Sequence, residues 1–176
     1  LRLAHRRSVG LDLFCESDFD PQQLTRELVA EGVPLQNPRS KPNTLWSEVE
    51  GVPVSLMRFA YPTLRVPDAG MAGPIASLED IAAMKVEAIA SRGARKDFVD
   101  LYLICQRGLG LGGALAAFKS RFASAHPDVL HRIKALTYFD DAEREPELTM
   151  LTPVAWRDVR AFFEQGARAL WATGDS

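Results

Sequence analysis

The sequence predicts an α/β chain of the α+β type, a strand-bearing half over residues 1–74 followed by a helical half over residues 75–176. Three observations carry this. Residues 9–14 (VGLDLF) alternate with the two-residue period of a strand. Residues 44–59 read as a hairpin, TLWSEV and VPVSLMRF joined by Glu50-Gly51. After the Pro- and Gly-rich stretch YPTLRVPDAGMAGP, which reads as a boundary loop, apolar residues recur at helical spacing to the end of the chain.

In chain order, Val9, Leu11 and Leu13 face one side of the first strand, and Gly10, Asp12 and Phe14 the other. The strand is expected to be buried, which makes Asp12 conspicuous. DFDPQQLTRELVAEG predicts a helix, with Asp20 as N-cap, Pro21 at its first position and Gly32 as its stop. Pro53 places its strand at a sheet edge or at the start of a strand. SLEDIAAMKVEAIASR is a helix capped by Ser77, with acids in its first turn. RKDFVDLYLICQRG is a second helix after a tight link at Gly93. GLGLGG follows a helix rather than a strand and lacks phosphate-loop spacing, so it reads as a flexible link. LAAFKSRFASAH, PDVLHRIKALTYF and TPVAWRDVRAFFEQGARALW are further helices, the last capped by Thr152 with Pro153 at its first position.

Composition narrows the functional classes. Among 176 residues, 47% are hydrophobic and 25% charged, with a net charge of −2. A sizeable core can form, and no global positive field draws in nucleic acid. Cys15 and Cys105 form no CxxC pair and read as buried free thiols. The three histidines, His5, His126 and His131, have no metal-ligand spacing. No bilayer-spanning run and no signal peptide are expected, so a cytoplasmic location without membrane attachment is. The chain begins at Leu1 and enters a strand almost at once, so its true start is expected upstream. The acidic run Asp140, Asp141, Glu143 and Glu145 reads as a solvated helix end or loop, and Trp156, Phe162 and Phe163 as packing of the last helix.

Three lone charges interrupt otherwise apolar elements. Asp12 is on a strand. Lys85 falls in the centre of the stripe formed by Leu78, Ile81, Ala82, Ala88 and Ile89, and Arg92 falls on the same stripe. Asp100 sits in the apolar run Phe98–Cys105, one turn after Asp97. Asp97 is accounted for by the helix dipole; Asp100 has only core neighbours. For Lys85 the structural alternatives are snorkelling or an ion pair with a nearby acid. The simplest functional arrangement converges these groups, with Arg6, Arg7, Arg92, Arg95 and Lys96, on one cleft. Carboxylates there would hold Mg²⁺ and the cations would neutralise phosphates, as phosphoryl or nucleotidyl transfer requires.

HRRSVGLDLF, SLEDIAAMKVEAIASRGARKDFVDLYLI, YFDDAEREPE and TPVAWRDVRAFF, in that order, resemble the AbiEii/AbiGii-type nucleotidyltransferase toxin family. The resemblance runs over most of the chain, and the Lys85 to Asp100 block is its most specific part. It implies a nucleotidyltransferase-like mixed sheet with helices followed by a helical half. The family's R-x-S/T-x-D-x-D strand matches Arg6, Ser8 and Asp12, with Asp12 as metal ligand. Its helical lysine matches Lys85, expected on the nucleotide phosphates with Arg6, Ser8, Arg92 and Lys96. Its KD-x-x-D block matches Lys96, Asp97 and Asp100, the two acids catalytic or positioning. The implied activity is Mg²⁺-dependent transfer of a nucleotide from an NTP to an RNA, such as a tRNA-like one, or to a protein. The implied setting is a bacterial toxin–antitoxin or abortive-infection system with an antitoxin partner.

Three positions depart from the pattern. The family's Gly-Gly-Thr/Ser loop is expected just before Leu1. Gly10 stands where the first aspartate of D-x-D belongs, so the clamp that two same-face carboxylates would form is half built. Ser55 stands where nucleotidyltransferases often place a third strand aspartate. Three readings follow: an active transferase; a non-catalytic relative that binds nucleotide or an antitoxin-like partner; and an α/β protein whose charges are structural, with Lys85 and Asp100 as the natural pair.

Overall fold

The computed structural model describes residues 3–70 and 73–173. The chain packs as two compact units. One is Ser8–Tyr61; the other joins the stretch ending at Arg7 to the stretch beginning at Pro62.

The smaller unit is a mixed four-stranded sheet with one helix. Its elements are β1 (Leu11–Cys15), α1 (Pro21–Ala30), β2 (Leu35–Lys41), β3 (Thr44–Val49) and β4 (Val52–Arg58), and the strand order is β1-β4-β3-β2. β1 and β4 are parallel and the other neighbours antiparallel. The Asp20 carboxylate caps α1, accepting from the Gln22 N–H at 2.8 Å, with Pro21 at the first helical position. Glu50 (φ 51°) and Gly51 (φ 80°) both take left-handed backbone, the primed turn that matches strand twist. β4 is a central strand, and of the two places open to Pro53 it takes the start of the strand. One expectation needs correction. β1 is itself an edge and is not buried: Leu11, Leu13 and Phe14 are 38%, 39% and 45% exposed.

Register places one residue from each strand in line across the sheet. Asp12 pairs with Ser55, Ser55 with Trp46, and Trp46 with Arg39. Directly paired residues share a sheet face, so these four side chains form one row.

The larger unit is helical. It holds β5 (Asp68–Gly70) and β6 (Gly73–Ile75), a short antiparallel pair, then α2 (Leu78–Arg92), α3 (Arg95–Ile104), α4 (Gly110–Arg121), α5 (Val129–Ala135), α6 (Asp140–Arg144) and α7 (Trp156–Thr173). The expected boundary loop therefore contains two short strands; its Met71 and Ala72 lie outside the described residues. Ser77 caps α2 by accepting from the Asp80 N–H at 3.0 Å, and Gly93 ends it in left-handed backbone at φ 58°. Phe98 anchors an aromatic core with Phe139, Trp156 and Phe163, at ring-centroid distances of 5.2–6.0 Å.

GLGLGG is not a free link. A π-helical turn over Cys105–Leu109 kinks the chain, with Gly108 at φ 104°, and the last glycines enter the first turn of α4. Across that kink, Arg95–Arg121 is long and apolar enough to cross a membrane by length and composition, contrary to expectation. It nevertheless carries the buried acids Asp97 and Asp100, and 44% of its most apolar window is buried within the protein. The last helix begins at Trp156, not at Thr152-Pro153. The preceding segment is tied down outside the helix: Leu151 and Thr152 donate their N–H groups to the His5 carbonyl at 2.7 and 3.0 Å, and Arg7 donates to Thr149 at 3.0 Å.

Candidate functional site

The residues singled out from the sequence fall into two groups, one in each unit. In the smaller unit, Asp12 is exposed on β1. Ser55, 6% exposed on β4, lies directly opposite and donates its hydroxyl to Asp12 Oδ1. The parallel pairing of β1 with β4, invisible in the sequence, makes these two neighbours. Ser8 is exposed and donates its Oγ–H to the Gly10 carbonyl at 2.8 Å, shaping the entry to β1.

Gly10 is small for a physical reason. A Cβ built on it would lie 2.8 Å from the Pro53 carbonyl oxygen and 3.3 Å from Pro53 Cβ. The obstructing oxygen belongs to the backbone of a central strand and cannot swing aside. An aspartate at position 10 therefore requires either β4 or the chain entering β1 to shift, so the missing half of the D-x-D clamp is disfavoured by its neighbour as well as absent.

In the helical unit, α2, α3 and the extended segment before β1 bring six ionisable side chains together. Lys85 Nζ lies 2.7 Å from Asp97 Oδ1 and 2.6 Å from Asp100 Oδ2. Arg92 donates Nε–H to Asp97 Oδ2 at 2.7 Å and a second N–H to Oδ1 at 3.1 Å. Arg6 grips Asp100 in the same forked way, both contacts at 2.7 Å. His5 Nε2 lies 2.8 Å from Asp100 Oδ1. Asp97 is fully buried and Asp100 is 5% exposed.

Burial pushes the Asp97 carboxyl up, but its bonds to Arg92 and the nearby Lys85 outweigh this, and its pKa lies below the ordinary carboxylate range. Burial likewise opposes ionisation of Asp100; the bonds from Arg6 and His5 and the charge of Lys85 overcome it and hold the pKa far below that range. The bond to Asp100 raises the Arg6 pKa further. Both acids are therefore ionised and saturated with donors, so neither is placed as a general base.

Of the other predicted cations, Arg95 turns away from this cluster. Its backbone N–H donates to Glu145 Oε2 at 2.8 Å, its Nε–H donates to the Ala142 carbonyl at 2.9 Å, and its guanidinium lies over Trp156. The expected solvated acidic run thus supplies, through Glu145, the cap that Ala94 lacks at the start of α3. Lys96 is half-buried and makes no ion pair among the described residues. Two groups escaped the sequence reading. His5 was set aside for want of metal spacing, and its partner lies 95 residues away. Asp80 was read as a first-turn acid; it is fully buried and bound by Arg121, Ser77 Oγ at 2.6 Å and the Leu64 N–H at 2.8 Å.

The donor set bears on Mg²⁺. Among the described residues no three His, Cys, Asp or Glu side chains group as a metal site. Magnesium is commonly held through one or two carboxylates together with substrate phosphates. The strand offers one exposed carboxylate, Asp12, and no second one beside it to complete a two-ion clamp.

A mixed sheet with an exposed strand carboxylate, followed by helices bearing a lysine and paired acids, is the organisation of a nucleotidyltransferase-like protein. Residues 51–173 match the family described as nucleotidyl transferase AbiEii toxin, type IV toxin–antitoxin system, and the chain belongs to that family. It is also 32% identical over 172 residues to an uncharacterized protein of Aquifex aeolicus (strain VF5), an alignment covering 94% of this chain and 80% of that protein.

Proposed function

We propose that this chain is a toxin-type nucleotidyltransferase that moves a nucleotide from an NTP to an RNA or protein acceptor, in the presence of Mg²⁺ and restrained by an antitoxin. The observation that carries the reading is Asp12, an exposed carboxylate oriented by Ser55 across the parallel β1–β4 pair. Bound magnesium would supply charge neutralisation on the phosphates, with Asp12 as its protein ligand. The Lys85 cluster supports the reading through its charge. Lys85, Arg92 and Arg6 bring three fixed positive charges against two carboxylates, leaving an excess of one for a phosphate. Within it, Asp97 and Asp100 act as positioning residues that fix the Lys85 ammonium and the Arg6 fork. Calorimetric titration with Mg·NTP tests this. Binding that is lost in Asp12→Ala and weakened in Lys85→Met supports the proposal; equal affinity in all three proteins overturns it.

One observation favours a second reading. Pro53 blocks a Cβ at Gly10, which suits a relative that binds nucleotide or an antitoxin-like partner without transfer. Binding of Mg·NTP with no label passing to RNA or protein would select it.

A further inference from the structure

The row Asp12–Ser55–Trp46–Arg39 has a neighbour on the same sheet face. Phe14 pairs with Met57, Met57 with Thr44, and Thr44 with Lys41. A contact between the rows confirms that they share a face: Lys41 Nζ lies 5.9 Å from the centroid of the Trp46 ring. The face thus carries two cations on β2, an indole on β3 and, on β1, a carboxylate beside a phenyl ring that is 45% exposed. Arg39 and Lys41 are exposed and make no ion pair among the described residues. Arginines of α7 do have partners: the half-buried Arg160 pairs with Glu143 and the exposed Arg157 with Asp158. The patch is bounded on the next row by Glu48, opposite Pro53.

Aromatic faces beside unpaired cations are what single-stranded nucleic acids use. Bases stack on the rings without regard to sequence, and cations take the phosphates. Strands lie about 4.8 Å apart, so the row spans about 14 Å, the length of roughly four stacked nucleotides at about 3.4 Å each.

We infer that this face is a binding platform for single-stranded nucleic acid, with a base stacked on Trp46, the backbone held by Arg39 and Lys41, and the strand end directed toward Asp12. The inference rests on the transfer reading above for its purpose, as the acceptor's track, but not for its chemistry.

The test uses the full chain and a 5′-fluorescein-labelled, mixed-sequence 12-nucleotide single-stranded RNA, followed by anisotropy. Trp46→Ala should weaken binding by about 5- to 150-fold, and Trp46→Phe should restore most of it. The double variant Arg39→Ala/Lys41→Ala should reduce the slope of log K against log salt by about 1.4. Arg168→Ala, on α7, should leave both unchanged. Equal affinity for wild type and a folded Trp46→Ala, judged by circular dichroism and melting, overturns the platform; so does failure to bind the RNA at low salt. Nucleotide label passing only to protein, equally in wild type and Trp46→Ala, overturns the platform and leaves the transfer reading standing. Trp46-dependent RNA binding with no transfer from any NTP upholds the platform while the transfer reading falls.

Discussion

Replacing Asp100 by alanine strips the shared acceptor from three side chains at once. Asp100 takes both arms of the Arg6 fork, the Lys85 ammonium and His5 Nε2, all within 2.8 Å. Removing one partner of a buried ion pair costs about 3–5 kcal/mol, because the remaining charge stays desolvated. Here the side chains of Arg6 and Lys85 are 17% and 19% exposed, and Lys85 keeps Asp97. Some relief through water follows, so the lower part of that range, about 3–4 kcal/mol, is expected. For a chain of this size each kcal/mol moves the melting temperature by about 2–4 °C, giving a fall of about 6–16 °C. Differential scanning calorimetry reads this directly. A double-mutant cycle with Lys85→Met should show strong non-additivity, since removing both charges leaves less unpaired. A melting temperature within about 2 °C of wild type would refute the reasoning: Asp100 would then be an acid whose neighbours do not depend on it.

Three further outcomes follow from the same geometry. Gly10→Ala should destabilise by about 1–3 kcal/mol, the usual cost of forcing atoms into a packed site, and Gly10→Asp should gain no Mg²⁺ affinity over wild type; a stable, magnesium-binding Gly10→Asp would show that β4 yields at Pro53. Asp80→Ala should cost about 3–5 kcal/mol by leaving Arg121 buried without its carboxylate, and Asp80→Leu with Arg121→Met should recover part of that; urea midpoints measure both. Because Asp97 and Asp100 have folded pKa values below the unfolded value of about 3.9, their contribution is complete above that value and lost as pH falls through the folded ones. Urea midpoints should hold from pH 7 to about 5 and fall below about 4, less steeply in Asp100→Ala; parallel curves for the two proteins would contradict the assignment.

Local signals were legible because their physics is local. The caps at Asp20 and Ser77, Pro21 at a helix start, Gly93 at a helix stop and the Glu50-Gly51 turn each depend on residues within one turn of each other. Pairings across the chain were not. β2, with Pro38 inside it, has no alternation and takes its place only as β3's partner. The parallel pairing of β1 with β4 decides both that β1 is an exposed edge and that Ser55 meets Asp12. The block at Gly10 comes from a backbone oxygen 43 residues away, to which residue patterns are blind. In the candidate site, Lys85 and Asp100 were visible as charges on apolar faces, and their pairing was one of the readings the sequence left open; Asp97 read as a dipole-compensating acid, and its bonds to Lys85 and Arg92 were not foreseen. His5 was not, because an isolated histidine carries no signal until its partner is placed. Thr152-Pro153 resembles a helix start, yet bonds from Leu151 and Thr152 to the His5 carbonyl hold it outside the helix.

The central claim is nucleotidyl transfer dependent on Asp12, and α-labelled NTPs test it most directly. Wild-type protein and Asp12→Asn are incubated with Mg²⁺, each of the four NTPs and either total RNA or total protein. Asp12 is exposed, so the variant should melt as wild type does. The account predicts label on an acceptor with wild type and its loss in Asp12→Asn. Label transferred equally by both proteins, or by neither, would contradict it.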